Sequence, residues 1–179
     1  MMIQIRRSLL ILVLAAAALA ACSNGDEAEK CMTTNDAARQ GLVTRMHQSA
    51  DALPWPVTLV KQYPGEPSAV LSPSPVPNNT DDTNPEQPYS WSFPMWVLLP
   101  SGVTAAQATD AFNQDWRKQG FAVTERATGS VQAKDSDGYV YVTKTSVQGG
   151  VSLNLGSPCF PKSQLDESGS WPDRIESNG

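Results

Sequence analysis

The sequence predicts an α+β fold: an antiparallel sheet of five to six strands with two helices packed on one face, in the order α-β-β-α-β-β-β-β. Two amphipathic stretches carry helix start and stop signals. One long stretch, residues 89–99, alternates apolar and polar side chains. A closing series of short alternating stretches, separated by glycine-containing turns, follows residue 120.

The first helix is predicted over residues 35–53. Asn35 can cap it, and Asp36 lies in the first turn, where the helix dipole favours an acid. Pro54 ends it. A stripe of apolar residues four apart would face the sheet: Ala38, Leu42, Met46 and Ala50.

The second helix is predicted over residues 104–119. Thr104 and Gln107 have the spacing of a capping box, in which each side chain satisfies a backbone N–H. Gly120 supplies the left-handed stop. The apolar stripe is Ala105, Ala108, Phe112 and Trp116.

Two strands precede the second helix, over residues 57–63 and 89–99. In the longer one, every second residue from Tyr89 to Leu99 is apolar, so one face should be buried. Pro94 lacks an N–H donor, which places this strand at a sheet edge or beside a bulge.

Four strands in a meander are predicted between residues 121 and 155. The motif Asp135-Ser136-Asp137-Gly138 begins like a calcium-binding loop, but alternating strand residues follow at once where such a loop needs further oxygen ligands. We therefore interpret it as a hairpin turn and predict no metal site.

Two polar segments are predicted to lack regular structure. Residues 64–88 contain seven of the 14 prolines, and we expect a long, disordered surface loop inside a single domain of residues 31–160. Residues 161–179 show no periodicity and are predicted to be a disordered tail.

A basic and apolar leader opens the chain. Arg6 and Arg7 precede 14 largely apolar residues, which is shorter than the ~20 that a spanning helix needs. The leader ends in Leu19-Ala20-Ala21-Cys22, a lipoprotein cleavage box, so residues 1–21 are predicted to be removed and Cys22 lipidated. A plain signal peptide and an uncleaved anchor are the alternatives.

Charge supports an anchor made of lipid. Removing Arg6 and Arg7 lowers the formal net charge from −5 to about −7. An acidic surface disfavours nucleic acid and anionic lipid as partners. We expect attachment to the outer face of the cell membrane through lipid on Cys22, with residues 22–30 as a flexible tether.

The cysteine count fits an exported protein. With Cys22 assigned to lipid, Cys31 and Cys159 remain as an even pair outside the cytosol, which predicts a disulfide. Two free thiols are the alternative.

Few residues suggest chemistry. His47 is the one histidine, and without partners it makes neither a metal site nor a general base, so we predict no cofactor and no enzyme activity. Trp55, between two prolines, and Trp96, opposite the buried face of its strand, are candidates for an exposed contact with lipid, glycan or protein. Burial under the proline-rich loop or a helix is the alternative.

The chain resembles the small actinobacterial (mycobacterial-type, LppA-like) cell-envelope lipoproteins. The shared features are the Leu19–Cys22 box, Cys31 soon after it, Trp116 leading into Gly120-Phe121, Asp137-Gly138-Tyr139, and the run from Leu153 to Cys159. The resemblance implies an envelope location and a disulfide. Our first hypothesis is a non-enzymatic binding module with an envelope protein or lipid partner. The alternatives are a prophage-encoded superinfection-exclusion lipoprotein and a cell-envelope hydrolase using His47.

Overall fold

Two helices lie on one face of an antiparallel sheet in the computed structural model, which describes residues 31–178 except 32, 79–85, 127–128 and 147–148. The predicted α+β class is confirmed, with eight strands in place of five to six. In chain order the elements are α1 (Asn35–Asp51), β1 (Thr58–Val60), β2 (Ser74–Pro77), β3 (Tyr89–Leu98), α2 (Ala105–Lys118), β4 (Ala122–Glu125), β5 (Ser130–Lys134), β6 (Val140–Thr145), β7 (Val151–Gly156) and β8 (Arg174–Glu176).

The strands run in the spatial order β4-β5-β6-β7-β3-β1-β8, and β2 pairs with β3 on the same side as β1. Every pairing is antiparallel, as the tight turns of the meander predict. The helix α1 packs on β8, β3 and β7, whereas α2 packs on β4 to β7. The two helices therefore share one sheet face between them.

Both helices begin with a side-chain cap. Thr34, and not Asn35 as predicted, caps α1 by accepting a hydrogen bond from the Ala37 N–H. The Asn35 side chain instead turns inward and accepts a hydrogen bond of 2.8 Å from the Trp91 indole N–H. The capping box of Thr104 and Gln107 at the start of α2 is confirmed.

The core lies between the helices and the sheet. Alternation along β3 sends Trp91, Phe93, Met95 and Val97 to the helix side, where each is almost fully buried. The predicted stripes of α1 and α2 meet them, with Leu42, Met46, Phe112 and Trp116 wholly buried. Burial of this apolar surface is the main term that stabilises the fold.

The edge position predicted for Pro94 is wrong, because β3 is an interior strand. On one side β3 pairs with β7 from Ser92 to Val97. On the other side the pairing with β2 stops at Ser92 and the pairing with β1 starts at Trp96. Pro94 lies in the gap between these two partners, so its missing N–H interrupts no ladder on that side.

The disordered loop predicted over residues 64–88 is wrong for residues 64–78. Gln62 and Val70 form a β-bridge, and β2 follows it. Pro75 and Pro77 are two residues apart, so the N–H that each lacks would point away from β3. Val76 lies between them and pairs with Ser90 of β3. Residues 79–85 lie outside the described part of the chain.

The tail predicted to be disordered over residues 161–179 is ordered through residue 178. Lys162–Gln164 form a 3-10 turn, and β8 pairs with β1. Ile175 is buried opposite Leu59, and the Trp171 ring lies 4.8 Å from the Phe93 ring centroid. Two apolar side chains of the tail therefore complete the core beneath α1. A segment without periodicity can contribute such side chains even though it forms no long helix or strand.

The predicted disulfide between Cys31 and Cys159 is present, with a Cα–Cα distance of 5.1 Å. It joins the segment that leads into α1 to the segment that follows β7. The bridge spans 128 residues. Closing so long a loop restricts the unfolded chain strongly.

Candidate functional site

The sheet face opposite the helices, here called the outer face, is covered by no helix of the described residues. Its β3 residues are Ser90, Ser92, Pro94, Trp96 and Leu98, all partly accessible. The neighbouring outer-face positions on β7 are small or polar, with Ser152, Asn154 and Gly156, and those on β6 are Val140, Val142 and Lys144. Trp96 is the one aromatic side chain among the outer-face positions of β3.

A small hairpin over residues 61–71 arches above Trp96. The Tyr63 N–H donates to the Ala69 carbonyl, and the Leu71 N–H donates to the Lys61 carbonyl. Between them, Pro64 and Gly65 occupy the central positions of a turn closed by the Glu66 N–H and the Tyr63 carbonyl. Gly65 has φ of 82°, so this is a type II turn, which favours proline followed by glycine.

The hairpin and the sheet together form a cavity of about 360 Å³, here called the Trp96 recess. The Tyr63 and Trp96 rings meet nearly at right angles, at 80°, with 5.5 Å between their centroids. The Trp96 indole N–H donates to the Ala69 carbonyl at 3.0 Å, which fixes the ring. The recess is lined by Tyr63, Glu66, Ala69, Trp96, Ser146 and Gly150.

The floor of the recess depends on a glycine. A Cβ at position 150 would lie 3.2 Å from Ser146 Oγ and 3.5 Å from the Trp96 ring. The first of these distances is shorter than ordinary van der Waals contact. The Gly150 N–H donates to Ser146 Oγ at 2.9 Å, so the hydroxyl proton of Ser146 remains able to bind a ligand.

Glu66 is the charged group of the recess. Its side chain is exposed, and it forms no ion pair with any residue that the structure describes. The outer-face cation Lys144 lies on β6 and pairs with Ser152 of β7, and Ser152 pairs with Trp96 of β3 on its other side. Two strand spacings, roughly 10 Å, therefore separate Lys144 from Trp96 along the sheet. The recess is therefore acidic and aromatic.

The two tryptophans predicted to make an exposed contact lie on different sides of the sheet. Trp55 is half-buried against the core, and its buried indole N–H has no hydrogen-bond partner among the described residues. Trp96 is half-buried on the outer face, under part of the proline-rich segment. The structure does not bring these two residues together.

His47 lies exposed on α1, and it does not line the Trp96 recess. The hydrolase hypothesis requires His47 in a cleft with a hydroxyl and a carboxylate. The exposed position of this histidine does not meet that requirement.

The motif at residues 135–138 forms the predicted hairpin turn, closed by the Asp135 N–H and the Tyr139 carbonyl. Its two carboxylates hold Arg45 of α1, at 2.8 Å from Asp135 and 2.6 Å from Asp137. Tyr141 donates to Asp135 at 3.1 Å, and the Arg45 guanidinium lies over the Tyr139 ring. Within the described residues, no group of acidic, histidine or cysteine side chains could hold a metal ion.

The electrostatics of this cluster follow from burial and ion pairing. Burial raises the pKa of Tyr139, and burial together with the Asp135 charge raises the pKa of Tyr141 above its usual range. Burial of Arg45 acts to lower its pKa, but the hydrogen bond with Asp135 and the charge of Asp135 outweigh burial. The net result is a raised pKa for Arg45. The cluster therefore keeps Arg45 charged and both phenols neutral, and it joins α1 to the sheet.

Two larger cavities have mainly structural explanations. One, of about 660 Å³, lies between α1 and the tail, where Arg39 stacks 5.1 Å from the Trp171 ring centroid and donates to the Ser170 carbonyl. The other, of about 580 Å³, lies between α2 and the β4–β5 turn. Of its two acids, Glu125 is paired with Arg117, and Asp110 lies exposed on α2.

Several predicted features lie outside the described residues. These are the leader over residues 1–21 with Leu19, Ala20 and Ala21, the lipidation site Cys22, and the tether over residues 22–30. Among the described residues, no helix has the length and apolar character that crossing a membrane requires.

Comparison of the chain with models of protein families, with curated proteins and with solved structures finds no match.

Proposed function

We propose that this protein is an exported lipoprotein of the actinobacterial envelope type, lipidated on Cys22 after removal of residues 1–21. The observation that carries the proposal is the box Leu19-Ala20-Ala21-Cys22 at the end of a basic and apolar leader. The disulfide between Cys31 and Cys159 supports it, because such bonds persist outside the cytosol. Two acyl chains on one cysteine hold a protein to a membrane firmly.

The folded domain then acts as a non-enzymatic binding module at the outer face of the cell membrane. The Trp96 recess supports this role, since it combines accessible aromatic surface with a carboxylate that has no ion-pair partner among the described residues. Aromatic side chains are enriched in protein contact sites. The eight residues from 23 to 30 can span up to roughly 28 Å when extended, which lets the domain stand off the membrane.

Labelling with a palmitate analogue tests the anchor. The full chain is expressed in an actinobacterial host, beside Cys22→Ala and, as a matched cysteine control, Cys31→Ala. We expect label on the wild type and on Cys31→Ala, and none on Cys22→Ala. Label on Cys22→Ala, or an unlabelled wild type, would contradict the proposal.

Site-directed photocrosslinking tests the binding module. A photoreactive residue replaces Val70, which is 51% exposed within the recess hairpin, and in a second strain it replaces His47 on α1. We expect a discrete adduct from position 70 and none from position 47. Equal adducts from both positions, or none from either, would contradict a binding role for the recess.

A further inference from the structure

We propose that the Trp96 recess binds the cationic side chain of a partner protein, an ammonium or guanidinium group from lysine or arginine. This inference rests on the proposed function as a binding module and specifies the chemistry of its partner. It does not depend on lipidation.

The ring geometry suits a cation. A cation is attracted to the face of a tryptophan or tyrosine ring within about 6 Å of its centroid. The rings of Tyr63 and Trp96 stand at 80° with centroids 5.5 Å apart, so they form two walls of a corner. Trp96 already uses its N–H on Ala69, which leaves only its aromatic surface to meet a ligand in the recess.

The charge of the recess favours a cation over a neutral ligand. Among the described residues that line the recess, Glu66 is the only one with a carboxylate, and it has no ion-pair partner among the described residues. Its turn places it beside Tyr63, because the Glu66 N–H bonds to the Tyr63 carbonyl. The formal net charge of −5 of the full chain adds a long-range attraction for basic partners.

The size of the recess agrees with a single side chain. A cavity of about 360 Å³ is at the lower end of the range for small-molecule sites. Gly150 at its floor leaves room that a Cβ would fill. The hydroxyl of Ser146 and the Glu66 carboxylate are the polar groups able to meet the end of the entering chain.

The test uses two probes that differ by one charged group: N-acetyl-lysine methylamide and its uncharged counterpart N-acetyl-norleucine methylamide. The protein is the full chain carrying Cys22→Ala, so failure of the lipid anchor cannot affect the result. Binding is followed by NMR on the indole N–H of Trp96, which is assigned with Trp96→Phe. We expect the lysine probe to bind at least about fivefold more tightly than the norleucine probe.

Glu66→Gln should reduce that preference to about twofold or less, while the matched variant Glu167→Gln, at an exposed glutamate of the tail, should leave it unchanged. Raising the salt to 0.5 M should also reduce it, because exposed charges are screened. Equal affinity for the two probes, binding of neither probe, or a preference that survives Glu66→Gln would each overturn the inference. If the crosslink from position 70 persists after such a result, the binding module stands and only its cation chemistry fails.

Discussion

Replacing Asp135 with asparagine tests the ion-pair cluster between α1 and the β5–β6 turn. Asp135 Oδ2 accepts hydrogen bonds from Arg45 Nε at 2.8 Å and from the Tyr141 hydroxyl at 3.1 Å. Its Oδ1 accepts from the N–H groups of Tyr139 at 2.9 Å and Asp137 at 3.0 Å. An asparagine retains only one acceptor oxygen and presents an NH₂ group to donors on its other side.

The expected loss of unfolding free energy follows from the burial of the two charged side chains. Asp135 is 7% exposed and Arg45 is 17% exposed. Removing one partner of a buried ion pair costs about 3–5 kcal/mol. Arg45 keeps some water and retains Asp137 at 2.6 Å, so we expect a smaller loss of unfolding free energy, about 2–3 kcal/mol. For a domain of this size that corresponds to a decrease in Tm of roughly 4–12 °C.

The assay is guanidinium unfolding of the oxidised protein followed by tryptophan fluorescence. Asp110→Asn, at an exposed position of α2, is the matched control and should change the free energy of unfolding by no more than ~0.5 kcal/mol. A double-mutant cycle of Asp135→Asn with Arg45→Met should give a coupling energy of about 1–2 kcal/mol. A loss below ~1 kcal/mol for Asp135→Asn, or additive losses in the cycle, would refute the reasoning.

Three further predictions concern packing and titration. Ile175→Ala should lower the unfolding free energy by about 2–4 kcal/mol because this side chain is 1% exposed, and a loss no larger than that of exposed Glu167→Ala would contradict the role of the tail. Gly41→Ala should lower the unfolding free energy by about 1–3 kcal/mol in the same assay, because a Cβ at this position would overlap the Tyr139 hydroxyl. In a helix without such a contact, the same substitution would raise the stability, so a gain would show that the contact is absent. The raised pKa values of Tyr139 and Tyr141 mean that both are neutral in the folded state at pH values where the unfolded chain ionises. The contribution of these two phenols to stability should therefore be constant below about pH 10 and be lost above it, and absorbance at 295 nm should show them ionising late; ionisation at about pH 10 without unfolding would be the contrary result.

The parts of the fold that were predictable are those set by local pattern. The capping box at Thr104 and the alternation along β3 each involve residues close in sequence, and both are confirmed. The turn at residues 135–138 was also readable locally. Such signals are strong because the backbone groups they satisfy lie within the same few residues.

The errors concern partners that are distant in sequence. The interior position of Pro94 depends on where β1 and β2 stop along β3, which no property of residues 89–99 reveals. The strand β8 has three residues, too few to show alternation, and its partner β1 lies more than 110 residues earlier. The signal that was available is the presence of Leu165, Trp171 and Ile175 in a mainly polar tail. Large apolar side chains in such a segment favour docking on a core.

The Trp96 recess shows why one pattern supported two opposed interpretations. Alternation along β3 placed Trp96 on the face opposite Trp91, and a large ring there must either be covered or form a contact surface. The structure shows that the hairpin over residues 61–71 covers the indole N–H and leaves part of the ring in the recess. Covering the polar end removes the cost of an unpaired donor and holds the ring in one orientation. A tryptophan fixed in this way loses little side-chain freedom when a partner binds, so partial burial favours a binding role for Trp96.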